Sequence, residues 1–173
     1  MTDPLDGRIG EFWSGEVPNG SHINVVLARR GSPTAAAAAG ALAGPRPGHT
    51  PFLACLSPGV VVRPVTIVVN KAPIEGEGKL GPITWGAAQL GIAQGVLDAV
   101  ADGVIDAAEA ADVVVLVAVW VDPAADDETA VKRANRAAMR GAIADALDPP
   151  TADAVRALVE RREDAANIYY DGA

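Results

Sequence analysis

His22 and Asn24 stand two residues apart in the run Ser21-His-Ile-Asn-Val-Val-Leu27. Residues 22–28 are β-branched or apolar and predict a strand. Side chains alternate in direction along a strand, so Ile23, Val25 and Leu27 form one apolar face. His22 and Asn24 share the other. Imidazole gives and takes protons near neutral pH, so this pair can serve proton transfer beside a polar anchor. A lone histidine here is more often a plain hydrogen bonder than a catalyst, and the pattern alone leaves both readings open. Lys71 ends a second row, Val65, Ile67 and Val69, which puts an ammonium group at the end of an apolar face. Gln89 falls inside an apolar stripe of helical spacing, one turn from Trp85 and from Ala93. A buried amide there needs hydrogen-bond partners in the protein or in a ligand.

Other reactive types read more blandly. Cys55 lies in the apolar run Phe52-Leu-Ala-Cys-Leu56 and is expected to be a buried structural thiol. His49 sits in a Pro/Gly loop and is expected to be solvated. The two histidines share no helix at i, i+4, and one cysteine makes no metal pair, so no metal site is expected. The loop 75–81 contains Gly78-Lys79 but fails the P-loop spacing. Pro73 and Leu80 occupy the positions that require Gly and Ser or Thr.

The elements that carry these residues follow from turn and cap signals. Residues 1–7 read as a loose tail, and 8–15 as a first strand. A turn at Pro18–Gly20 joins it to 22–28 as a hairpin. Ser32 as N-cap and Pro33 at the first helical position open a small-residue helix over 32–43. Strands are expected at 51–56 and 64–74, and a helix at 84–101. Asp106-Ala-Ala-Glu109 resembles a capping box opening a short helix. Val113–Val121 is a continuous apolar run, the best candidate for a central strand. Asp126 and Asp127 place acid at the start of a helix reaching about 147, and Pro149-Pro150 breaks it. A further amphipathic helix is expected at 151–162, with the last ten residues fraying.

The 173 residues suit one domain, half of them apolar and only 4% aromatic. The net charge of −8 argues against a nucleic-acid binder, which needs cations to replace counterions. The N-terminal sequence has no signal-peptide core, and no apolar run reaches a membrane span. A cytoplasmic protein with no membrane partner is the expectation.

Several stretches taken in order are similar to one family. They are Ile9-Gly-Glu11, Ser21-His-Ile-Asn24, Arg30-Gly-Ser-Pro33, Leu53-Ala54, Asn70-Lys71, Gly86-Ala-Ala-Gln89, Ala124-Ala-Asp-Asp127 and Asn135. The set resembles the formaldehyde-activating enzymes, with one extra residue needed before Gln89. The likeness runs from about residue 9 to 147. It implies a domain over 1–148 and a helical extension over 149–173. It implies an α/β two-layer fold of the ribosomal protein S5 domain 2-like type, assembled as a homopentamer with sites between subunits. The implied reaction condenses formaldehyde with tetrahydromethanopterin as co-substrate, with no covalently bound cofactor, giving the methylene adduct and water. By matching position, His22 would be the general acid, and Asn24, Leu53, Lys71, Pro73 and Gln89 would line the substrate site. The chain departs from the family at three places. Asn24 stands for Asp, Pro73 for Thr, and Asp122 for a histidine. These departures keep open a diverged paralogue acting on another pterin or amine, a non-catalytic pterin or formaldehyde binder, and a structural oligomer.

Overall fold

A computed structural model describes residues 5–166. Its centre is a five-stranded sheet in the order β1-β2-β7-β6-β3. The strands are β1 (Arg8–Ser14), β2 (Ser21–Arg29), β3 (Phe52–Leu53), β6 (Val65–Asn70) and β7 (Val113–Val121). A separate two-stranded ribbon pairs β4 (Cys55–Ser57) with β5 (Val60–Val61). The β1–β2 hairpin is antiparallel, with Glu11 opposite Asn24 and Trp13 opposite His22. β2 runs antiparallel to β7, with His22 opposite Trp120. β6 and β7 are parallel, as a connection through a helix requires.

α3 (Gln89–Ala101) and α4 (Glu128–Leu147) cover one face of this sheet. Ile23, Val25, Leu27, Val115, Val117 and Val119 meet Ile92, Val96, Ala138 and Met139 in the core. The helices approach each other closely at glycines. A Cβ on Gly91 would stand 2.3 Å from the Lys132 carbonyl oxygen, and one on Gly95 2.6 Å from the Met139 Cβ. Asp127 caps α4 by accepting from the Thr129 and Ala130 amides, as the acidic start predicts. Ser32 caps α1 (Pro33–Ala43) through the Ala35 amide. α1 lies on the opposite sheet face near one end, where Ala35 and Ala36 line a cavity with Val65 and Val114.

The structure corrects several expectations. The strand expected over 51–56 is two pieces: β3 pairs with β6, and β4 turns away to the ribbon. The strand expected over 64–74 stops at Asn70, because Pro73 supplies no ladder donor. Residues 106–109 form turns, with Asp106 accepting from the Ala108 amide. The side chain thus closes a local turn instead of capping a helix. The helix expected from residue 84 begins earlier, as α2 (Leu80–Ile83), and passes through a π-turn over Thr84–Ala88 before α3. The π-turn shifts Trp85 relative to the α3 stripe, and Trp85 is exposed and not core. Leu5 is buried and Asp6 accepts from the Arg29 amide and the Ser32 hydroxyl, so 5–7 are not a loose tail. α5 (Ala152–Glu160) forms as expected, with no buried residue. Residues 1–4 and 167–173, where part of the fraying was expected, lie outside the described residues.

Candidate functional site

The face of the sheet turned away from α3 and α4 carries a row across four strands. Trp13, His22 and Trp120 follow one another by register. Lys71 continues the row, because its amide prolongs the ladder by donating to the Val119 carbonyl at 2.7 Å. Trp13 packs against both His22 and Trp120, with ring centroids 6.5 and 5.6 Å apart. Trp13 therefore flanks the imidazole from the β1 side and is itself backed by Trp120 of β7.

His22 is held at both nitrogens. Its Nε2 lies 2.6 Å from the Glu11 Oε2, and its Nδ1 lies 3.1 Å from the Lys71 Nζ. A carboxylate only accepts, so Nε2 carries the hydrogen toward Glu11. Nδ1 of the neutral ring is then a lone pair that takes a hydrogen from Lys71. Burial pulls the Lys71 ammonium below the ordinary lysine value, and the charge of Glu11 offsets part of that fall. Glu11, His22 and Lys71 therefore form one hydrogen-bonded line on an otherwise apolar face.

Glu11 is the residue that sequence reasoning missed. It appears in the quoted Ile9-Gly-Glu11 stretch without a role. Its position opposite Asn24 was readable once the hairpin register was known. His22 thus touches a carboxylate although Asn24 is an amide. Asn24 sits one alternation along from His22 on the same face, half-buried. Leu53 pairs with Ile67 and shares its face, farther from His22 along the sheet.

Two of the expected site residues lie elsewhere. Gln89 is on the helical side, where its Oε1 accepts from the Cys55 amide at 3.1 Å and its amide nitrogen donates to the Trp85 carbonyl. The partners of this amide are therefore protein groups. It lines a cavity of about 670 Å³ with Trp85, Cys55 and Lys132. Cys55 is half-buried and donates to the Leu53 carbonyl, so it is not sealed in the core. Pro73 packs on the backbone of Gly48, filling the place of a Cβ there, and the φ of 74° at Gly48 also favours glycine. His49 is not simply solvated: its Nδ1 donates to the Asn70 carbonyl at 2.7 Å and pins that loop to β6. Among the described residues no group of His, Cys, Asp and Glu could hold a metal ion, and no helix is long and apolar enough to cross a membrane.

Residues 9–169 match the family described as Formaldehyde-activating enzyme (Fae). The chain belongs to the formaldehyde-activating enzyme family. The match extends past residue 147, where the likeness read from the motifs ends, and takes in α5. The 5,6,7,8-tetrahydromethanopterin hydro-lyase of Methanosarcina barkeri is 37% identical over 94% of this chain and 89% of its own length. The Bifunctional enzyme Fae/Hps of Methanocella arvoryzae is 33% identical over 82% of this chain and 35% of its own. The protein of the same name from Archaeoglobus fulgidus is 32% identical over 83% of this chain and 36% of its own. The chain thus spans most of the single-activity relative and about a third of the bifunctional ones. The candidate site of this family member is the Glu11–His22–Lys71 cluster on the apolar sheet face.

Proposed function

We propose that this family member condenses formaldehyde with tetrahydromethanopterin, releasing water. The observation that carries the reading is the Glu11–His22–Lys71 line on the open sheet face. Formaldehyde is already electrophilic, and a pterin nitrogen adds to it to give a carbinolamine. Closing the methylene bridge then requires the hydroxyl to leave as water, which needs a delivered proton. His22 delivers it as general acid, with Glu11 balancing the imidazolium charge and Lys71 sharing the proton at Nδ1. Asn24 and Leu53 line the pterin on the same face. Pro73, packed on Gly48, offers neither a hydroxyl nor a backbone donor to a pterin.

A single chain leaves Gln89 on the far layer. The face bearing His22 also displays Ile9, Val26, Leu116 and Trp120, with Ile9 70% exposed. We place a second copy of the chain over this face, in a homopentamer, so that one subunit's Gln89 side meets the next subunit's His22. The reacting domain is 1–148, and 149–173 is a C-terminal extension. The reaction is assigned to the cytoplasm, whose reducing conditions suit the lone Cys55.

The test mixes the full chain with formaldehyde and tetrahydromethanopterin and follows methylene-adduct formation above the spontaneous rate. His22→Ala is expected to lose about 10²- to 10⁴-fold, the usual worth of general acid catalysis. Acceleration only with another amine acceptor would reassign the chain to a diverged paralogue. Thermal stabilisation by the pterin without turnover would make it a binder.

A further inference from the structure

We propose that Lys71 is a catalytic nucleophile that carries the formaldehyde carbon as an iminium before the pterin receives it. The inference rests on the reading above but reaches beyond it, from proton delivery to covalent capture. An activated nucleophile is recognised by a base within hydrogen-bond reach, the base in turn oriented by a third group. Lys71 Nζ is 3.1 Å from His22 Nδ1, and His22 Nε2 is 2.6 Å from Glu11. Lys71 is half-buried at the end of an apolar row, where a neutral amine is less disfavoured than in water. Its pKa is lowered by that burial, in agreement with the geometry.

The step balances without any outside reagent. The Lys71 ammonium passes one proton to His22 Nδ1, and the imidazolium so formed is paired with Glu11. One transfer therefore creates both the free amine and the acid. The amine lone pair attacks the formaldehyde carbon, a C–N bond forms, and the carbonyl electron pair goes to oxygen, which takes the proton that the attacking nitrogen gives up. The nitrogen lone pair then expels that hydroxyl, His22 gives it the second proton, and water leaves. A pterin nitrogen adds to the resulting Lys71 iminium. Its proton returns through His22 to the lysine nitrogen, and the Lys71–carbon bond breaks with its electrons kept by lysine. The second pterin nitrogen closes the bridge and its proton goes back to His22. No atom changes oxidation state overall.

Reductive trapping tests this directly. The chain has three lysines, Lys71, Lys79 and Lys132, so the other two are internal controls. The full chain is treated with formaldehyde and cyanoborohydride at neutral pH without pterin, and methyl groups are mapped by peptide mass. Lys71 is expected to be methylated at least about tenfold faster than Lys79 or Lys132, as for an activated nucleophile, and His22→Gln is expected to erase that preference. Lys71→Arg keeps the positive charge and is expected to lose turnover with the pterin. Equal methylation of the three lysines, or unimpaired turnover in Lys71→Arg, would overturn the covalent step while leaving the condensation intact. Selective trapping at Lys71 with no pterin turnover would overturn the acceptor assigned above while leaving the capture in place.

Discussion

At the residue scale, the decisive contact is the one between two cross-strand neighbours and an ammonium group. Glu11 and His22 come from adjacent strands, and Lys71 from the end of a third. Their mutual effect has a sign that can be measured. Burial favours the neutral amine of Lys71, and the negative charge of Glu11 favours the ammonium. Glu11→Gln removes the opposing influence, so the pH midpoint of Lys71 methylation is expected to move to lower pH. His22 from β2 is the other titratable group that touches Lys71, and Trp120 from β7 adds no charge. A midpoint that rises, or stays fixed, would mean that Glu11 does not act on Lys71. The same logic links to stability. A lysine lowered in the folded state binds fewer protons than in the unfolded chain, so stability gains as pH rises toward the ordinary lysine value. His22, Asn24 and Lys71 were legible in the sequence because alternation fixes a face. Glu11 was not, because its partner is set by hairpin register across a turn.

At the element scale, the sheet is positioned by two helices that touch through missing side chains. Gly91→Ala would put a methyl group 2.3 Å from the Lys132 backbone oxygen. Overpacking of this kind costs about 1–3 kcal/mol. The helix-propensity gain of alanine, about 1 kcal/mol, is too small to cancel a clash with backbone. Thermal unfolding of Gly91→Ala is expected at lower temperature than wild type. Gly40→Ala is the control, since a Cβ at Gly40 in α1 meets nothing within 4 Å, and a small stabilisation is expected there. Identical shifts in the two variants would refute the packing argument. Helix starts were readable where a side chain caps its own helix, at Ser32, Asp127 and Thr151. The capping-box pattern at Asp106 misled, because the same carboxylate closes an isolated turn just as well. The π-turn over Thr84–Ala88 was foreshadowed only as an extra residue before Gln89. Periodicity assumes 3.6 residues per turn and cannot register a wider one.

At the scale of the whole molecule, β7 is apolar along both faces, yet α3 and α4 cover one face while α1 reaches only one end of the other. Val113, Val115, Val117, Val119 and Val121 are buried, while the alternate residues are half-open. An apolar run of this kind normally marks a strand covered on both sides, and a contiguous open apolar face marks a contact surface. Native mass measurement at micromolar concentration is expected to return five times the 17.6 kDa chain mass. A monomer would remove the shared site. By itself the sequence determined the strand faces, the helix caps and the ordered motifs that announce the family, because each depends on neighbours within a turn or two of the chain. Only the tertiary structure decided that Glu11 meets His22 and that Gln89 lies on the opposite layer from Lys71. Those placements depend on which strands pair and in what register, and residues separated by dozens of positions carry no local trace of it.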